Sequence, residues 1–183
     1  MTSLDSRTTN RFPNLGNTYA RDRGYLDGPF GNELRAAIDR LYAAFKGAKL
    51  SRPLKACRHC FTEADVDYLM STPPRLFTHG DMYLIGTKLV TTLGEPSDVA
   101  YFVARLLEAI AEGARIEPDA MAQRFAQIPL IQWTNARRKA LRECFDLLFA
   151  ATDGTEDDFG RDYERKKLRD ALPAVFDAER EPR

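Results

Sequence analysis

Two cysteines separated by two residues, Cys57 and Cys60, have the types and spacing that most directly suggest chemistry. Thiolates at this spacing can bind one metal ion, because the short backbone between them bends around the ion. Structural zinc is usually completed to four ligands by further cysteines or histidines. His79 is the only histidine outside the Cys-Arg-His-Cys stretch. One interpretation is therefore a zinc site on Cys57, Cys60 and His79, completed by a carboxylate or by a second chain.

The same pair of cysteines admits two other interpretations. Cys60 lies just before a predicted helix, where the positive end of the helix dipole favours thiol–disulfide chemistry. Thioredoxin-type motifs, however, follow a strand, and no strand is predicted here. Alternatively, both cysteines are small apolar residues that fill space beneath a loop. Cys144, which lies on an apolar helical stripe, is predicted to be a core residue of that kind.

The sequence carries none of the common catalytic signatures. It has no Gly-rich phosphate loop, no nucleophile elbow and no His-Glu-x-x-His zinc motif. The chain contains two histidines, which leaves few general bases. A non-enzymatic function is therefore favoured, and an unrecognised enzyme is the alternative.

The densest basic stretch falls on a predicted helix. The chain has 27 basic and 27 acidic side chains, so its formal net charge is zero. This balance argues against a protein built around bulk attraction to nucleic acid or to an anionic membrane. Nucleic-acid binding through this one helix face is kept as an alternative. The basic residues, which we expect to face solvent opposite an apolar stripe, are Arg137, Arg138, Lys139 and Arg142.

Residues 78–113 organise the predicted fold. Apolar residues recur there at helical spacing, first over 82–93 and then over 99–110. The short sequence 94–97 between these segments fits only an antiparallel reversal. The side chains that we expect in the core are Leu89, Phe102, Leu106, Ile110, Leu141 and Phe145.

The other helices are predicted from the same periodicity and from N-terminal capping. Thr62 and Thr78 each precede an aspartate at the third helical position, Asp65 and Asp81, in an acidic variant of the capping box. No stretch alternates as a strand does. We therefore predict an all-α fold, an irregular helical bundle or stacked helical hairpins with six to eight helices. Outside the hairpin, helices are expected at about 32–46, 63–71, 117–128, 135–151, 159–172 and from 173 onward.

The first 30 residues lack helical periodicity yet carry four aromatic residues. Disordered tails are poor in aromatics, so we predict an extended arm, 1–30, ahead of a single helical domain, 31–183. The alternatives are a flexible leader and a segment packed on the helical body. Aromatic and Arg side chains anchor protein interfaces. The predicted partner-binding residues are Tyr19, Tyr25, Phe30, Arg137, Arg138 and Arg142.

The cellular location is predicted from the lack of membrane-spanning and signal-peptide patterns in the sequence. No run approaches the ~20 apolar residues that span a bilayer, and the polar first residues lack the apolar core of a secretory signal. Three cysteines cannot all form disulfides with one another. We therefore expect a cytoplasmic protein that does not associate with membranes.

The paired cysteines and the hairpin together resemble a known group of proteins. In that group a paired-cysteine motif precedes a helix that ends in a Thr-Thr-x-Gly turn, and an Arg-Leu-Leu-Glu helix follows. The resemblance covers roughly residues 41–112 and implies an uncharacterised bacterial all-helical protein, with no activity attached. The matching residues are Cys57, Cys60, Thr91, Thr92, Gly94, Phe102, Arg105, Leu106, Leu107 and Glu108.

A helical scaffold without a catalytic constellation favours a protein that works by binding another protein. An immunity protein, an adaptor or an assembly factor would each fit this description. The alternatives are a zinc-stabilised module, a nucleic-acid binder acting through the local basic helix face, and an unrecognised enzyme. Zinc is the one cofactor that the sequence suggests.

Overall fold

The computed structural model describes residues 24–153, 155 and 158–176, and it is all-α over these ranges. The prediction of six to eight helices without a strand is confirmed. Among the described residues, the only β-type contacts are two isolated bridges, one from Ala56 to Leu93 and one from Leu89 to Leu93. The helices are α1 (Gly31–Ala44), α2 (Glu63–Ser71), α3 (His79–Lys88), α4 (Val99–Ala111), α5 (Pro118–Phe125), α6 (Asn135–Ala151), α7 (Asp162–Ala171) and α8 (Pro173–Phe176).

Helix α4 forms the centre of the core. All of its residues except Tyr101 and Glu108 are buried, so it has neighbours on nearly every side rather than on a single stripe. Helices α1 and α3 and the 3-10 turn Pro74–Leu76 pack around it. The six side chains predicted to lie in the core are each at most 3% exposed, which confirms that expectation.

Helices α2 and α3 begin with the capping boxes predicted from the sequence. The Asp81 amide donates to Thr78 Oγ1 at 3.2 Å, and the Thr78 amide donates to Asp81 Oδ2 at 2.8 Å. Thr62 and Asp65 form the same pair of bonds at the start of α2. Phe61 and Phe77, which precede the two caps, are buried. These bonds and the buried rings fix the direction in which each helix starts.

The first helix of the central hairpin ends earlier than predicted. α3 stops at Lys88, and residues 89–93 form a tight loop rather than a further helical turn. The amides of Thr91, Thr92 and Leu93 all lie within 3.1 Å of the Lys88 carbonyl oxygen. Val90, Thr91 and Thr92 are β-branched, and such side chains lose rotamer freedom in a helix. Three consecutive β-branched residues therefore favour an end of α3 at this point.

The chain before α1 packs on the helical body as far as it is described. Tyr25–Asp27 forms a 3-10 turn against α1, and the Arg35 guanidinium donates to the Leu26 carbonyl at 3.2 Å. A Cβ added at Gly24 would lie 2.7 Å from the Ala111 carbonyl oxygen at the end of α4. Within 24–30, the predicted arm therefore belongs to the fold, while residues 1–23 lie outside the described ranges.

The longer of the remaining helices pack in two pairs. α6 lies along α1, and α7 lies along α5. The Arg40 guanidinium of α1 donates to both carboxylate oxygens of Glu143 on α6, at 2.9 and 2.7 Å. No helix in the described part of the chain is long and apolar enough to cross a membrane.

Candidate functional site

The two spaced cysteines lie on a hydrogen-bonded turn directly before α2. The Cys60 amide donates to the Cys57 carbonyl at 2.9 Å, and the Phe61 amide donates to the same oxygen at 3.0 Å. Cys57 is half-buried and Cys60 is exposed. Both thiols are free in the structure and lie on the same turn.

Two neighbouring segments hold this turn in place. The Cys57 amide donates to the Thr92 carbonyl at 2.8 Å, and the Gly94 amide donates to the Lys55 carbonyl at 2.7 Å. Together these bonds join residues 55–57 to the loop that follows α3. Gly94 has a φ of +68°, which a residue with a side chain rarely adopts. Phe61 fixes the other side of the turn by burying its ring in the core.

The backbone around the turn stabilises a thiolate at Cys57. The His59 amide donates a hydrogen bond to the Cys57 sulfur and is the main reason that its pKa is lowered, although partial burial opposes the effect. The amide and the thiol of Cys60 and the positive charge of Lys88 act in the same direction. Cys144 shows the opposite behaviour, because complete burial raises its pKa to about 12. Its predicted core position is confirmed.

An open pocket of about 900 Å³ lies beside the turn. Cys57 lines it together with Lys55, Arg58 and Thr92. Val90 lines it as well, with a φ of 66°. A β-branched residue in the left-handed region is strained, and strain of this kind concentrates at functional sites. This pocket next to a stabilised thiol is the most chemically distinctive place on the described surface.

The structure does not bring His79 to the cysteines. His79 Nε2 lies 3.0 Å from Glu112 Oε2 at the end of α4. No group of three His, Cys, Asp or Glu side chains in the described ranges is arranged to hold a metal ion. Zinc on Cys57 and Cys60 stays a prediction, and its further ligands would have to come from outside those ranges or from a second chain.

The partner of His79 belongs to a charged cluster around a buried arginine. Arg105 is 3% exposed. Its Nε donates to the Phe77 carbonyl at 2.9 Å, and its Nη1 donates to Glu108 at 2.9 Å and to Glu112 at 2.8 Å. This cluster was not predicted from the sequence. Glu108 and Glu112 follow Arg105 by three and seven residues, a spacing that places all three on one helix face. This spacing is the sequence signal from which the cluster could have been predicted.

Two further side chains close this cluster on the α1 side. The Tyr42 hydroxyl donates to Glu108 Oε2 at 2.7 Å, and the Arg75 guanidinium lies 3.8 Å above the Tyr42 ring. Arg75 also forms an ion pair with Asp39 at 2.8 Å. The cluster therefore links α1, α3, α4 and the 3-10 turn before α3. Every member has its own partner, which makes the cluster a structural connection rather than a site with a vacant charge.

The cluster makes stability depend on pH. Burial alone would raise the pKa of Glu112, but the hydrogen bond to His79 and the charge and hydrogen bond of Arg105 lower it to about 2, from an ordinary value of 4.5. A carboxyl group whose pKa is lowered by folding stabilises the fold above its unfolded pKa. That contribution is lost as the pH falls through the folded pKa. The relevant window therefore runs from about pH 4.5 down to about pH 2.

We expect the free energy of unfolding to fall by about 2–3 kcal/mol through this pH window because Glu112 becomes protonated. Urea unfolding at a series of pH values measures the effect. In the Glu112→Gln variant the pH dependence should be correspondingly shallower. Glu33→Gln, on the exposed face of α1, is the control and should keep the wild-type slope. An unchanged slope in Glu112→Gln would show that this carboxylate does not carry the pH dependence.

A second pocket is an open groove between α1 and α6. Its volume is about 1020 Å³, and Val175 of α8 lies at one side. Ala36 of α1 and Ala136 and Leu147 of α6 contribute apolar surface. The charged residues that line the groove are Glu33, Arg40, Arg138, Lys139, Arg142, Glu143 and Asp146.

The predicted basic surface of α6 is only partly exposed. Arg138 is buried, and its Nη1 donates to the carbonyls of Ile131 and Trp133 at 3.0 and 2.9 Å. The expectation that it faces solvent is therefore corrected: this guanidinium satisfies the carbonyls of the turn before α6. Arg137 lies over the Phe45 ring at 5.0 Å. Arg142 pairs with Asp146 at 3.5 Å.

The aromatic residues of the predicted arm have different positions. Tyr25 is half-buried and packs against the core, whereas Phe30 is exposed. Tyr19 lies outside the described residues. The partner surface predicted from these aromatics and the α6 arginines therefore stays a prediction.

No protein-family model, no curated protein and no solved structure matches this chain.

Proposed function

We propose that the protein is a non-enzymatic protein-binding module and that it binds its partner in the groove between α1 and α6. The observation that supports this proposal is the composition of the groove wall. Apolar side chains lie between charged ones of both signs, as in protein interfaces, where an apolar centre is surrounded by a polar rim. Nucleic acid is a poorer fit, because Glu33, Glu143 and Asp146 would face its phosphates.

The occupant that fits this groove is an amphipathic helix of the partner. The groove runs along residues 33–40 of α1 and 135–147 of α6, or roughly 12–20 Å of helix. An apolar stripe on a partner helix would contact Ala36, Ala136 and Leu147, as in other helix-in-groove complexes. Lys139 is exposed, and no hydrogen bond or ion pair to another described residue is observed for it. An acidic residue beside the stripe would complement this charge.

Peptide display on the immobilised full-length chain tests the proposal, with selected peptides then measured by fluorescence anisotropy. We expect the selected sequences to share apolar residues at helical spacing with an adjacent Asp or Glu. Lys139→Glu should weaken their binding about tenfold, equivalent to ~1.4 kcal/mol. Lys49→Glu makes the same charge change at an exposed position away from the groove and should bind as the wild type does.

Two outcomes would contradict this assignment. Equal affinities for Lys139→Glu and Lys49→Glu would exclude the groove as the binding surface. Loss of binding with an unchanged melting temperature after deletion of residues 1–23 would place binding on the N-terminal arm instead. The deletion stops at residue 23 because residues 24–30 contact the body of the fold.

The proposal includes the cytoplasmic location expected from the sequence, and the three free cysteines are in keeping with a reducing compartment. A bacterial source is supported by the sequence resemblance alone. Neither statement is needed for the groove proposal.

A further inference from the structure

The backbone places Cys57 and Cys60 within bonding range of each other. The hydrogen bond from the Cys60 amide to the Cys57 carbonyl is that of a β-turn, in which the first and fourth Cα atoms are less than about 7 Å apart. Disulfides join Cα atoms at about 4.4–6.8 Å. The Cα separation of this turn is therefore compatible with an S–S bond between Cys57 and Cys60.

The two thiols differ in ways that suit successive roles. Cys57 is the half-buried member of the pair, and its amide is fixed by the Thr92 carbonyl at 2.8 Å. It also lines the pocket of about 900 Å³, where a small molecule can approach it. Cys60 is exposed and stands next to it on the same turn. Cys57 is thus placed to attack a disulfide, and Cys60 is placed to attack Cys57 afterwards.

We propose that Cys57 and Cys60 are a redox-active dithiol that exchanges with low-molecular-weight disulfides. The Cys57 thiolate attacks one sulfur of R–S–S–R, the S–S bond breaks, and RS⁻ leaves and is protonated. The Cys60 thiolate then attacks the Cys57 sulfur and displaces the second RS⁻. The two cysteines lose two electrons and two protons to form one disulfide, and the small disulfide is reduced to two RSH.

The residues at this turn meet the requirements of a redox dithiol more fully than those of a metal site. Exchange with a small disulfide needs only the two sulfurs that the turn brings together. Zinc needs four ligands, and the described residues supply no cluster of three. The inference does not depend on the groove between α1 and α6, which the cysteines do not line.

Equilibration of the reduced full-length protein with oxidised and reduced glutathione tests the proposal. We expect the protein to lose two thiols and to gain no glutathione at the end point. Trypsin cleaves after Lys55, Arg58 and Arg75, so the new disulfide should join peptide 56–58 to peptide 59–75 in a non-reducing digest. The linked pair should disappear on reduction.

Single-cysteine variants separate the two roles. Cys60→Ser should stop at a mixed disulfide of Cys57 with glutathione. Cys57→Ser should react several-fold more slowly, because Cys60, unlike Cys57, does not line the pocket in which the small disulfide would be held. Cys144→Ser should behave as the wild type does, since Cys144 is buried and its thiol is held in the protonated form.

Three results would overturn the proposal. The first is a stable product with glutathione on both cysteines and no linked peptide pair. The second is equal reaction rates in Cys57→Ser and Cys60→Ser. The third is protein, purified without an affinity tag, that holds about one zinc per chain on Cys57 and Cys60 by elemental analysis. In that case the cysteines form a metal site and not a dithiol.

Discussion

Replacement of Arg105 by methionine is expected to lower the free energy of unfolding by about 3–5 kcal/mol, because removal of one partner leaves buried charges without compensation. Arg105 donates to Glu108, Glu112 and the Phe77 carbonyl while almost fully buried. Methionine fills much of the same volume, so the loss reports on charge and hydrogen bonds rather than on a cavity. Chemical denaturation at neutral pH measures it.

A double variant identifies the cause of this loss. Arg105→Met with Glu112→Gln should be more stable than the two single effects predict when added, since the uncompensated carboxylate is then neutral. Arg142→Met on α6 is the matched control, because its ion pair with Asp146 is partly exposed, and such pairs contribute about 0–1 kcal/mol. A loss of less than about 1 kcal/mol in Arg105→Met would show that the cluster does not stabilise the fold.

Truncation of Leu106 to alanine is expected to cost about 2–5 kcal/mol, the range for a large-to-small change in a packed core. Leu106 is 3% exposed, and its Cδ1 lies 3.1 Å from the place where Gly86 would carry a Cβ. Gly86 has no side chain to move into the space that the leucine leaves. We therefore expect a cost in the upper part of this range, measured by the same denaturation experiment.

The matched control for this cavity is Leu76→Ala. Leu76 is 64% exposed, so the same change of side chain leaves no cavity. It should change the free energy of unfolding by less than about 0.5 kcal/mol. Similar losses at the two positions would mean that α4 is not in the packed core that the structure shows.

Local signals in the sequence predicted the fold well where the relevant contacts are close in the chain. The Thr-x-x-Asp pattern located the starts of α2 and α3, because the capping bonds join residues three apart. The apolar periodicity gave α6 its observed bounds, Asn135–Ala151. The end of α3 was not predicted, although the β-branched residues 90–92 favour it. The bonds that hold this loop, between residues 55–57 and 92–94, join segments that are far apart in the chain.

The candidate site could be predicted only in part for the same reason. The spacing of Cys57 and Cys60 was visible in the sequence, whereas the amides that donate to the Cys57 sulfur depend on the turn conformation. From the helical periodicity, the Arg138 side chain was predicted to face solvent. Its burial follows from the carbonyls of Ile131 and Trp133, which a helix pattern does not include. His79 was proposed as a metal ligand because it is the only histidine outside the cysteine stretch. Its partner in the structure, Glu112, comes from the far end of another helix and could not be read from local spacing.

The burial of α4 on nearly every side also determines how the domain opens. Hydrogen exchange at its amides requires their hydrogen bonds to be broken and water to reach them, and α1 and α3 cover the helix. These amides therefore exchange only when the packing around them is lost, close to the free energy of global unfolding. The cysteine turn is exposed at Arg58, His59 and Cys60. We therefore expect its amides to exchange faster than those at the centre of α4, through local openings rather than global unfolding.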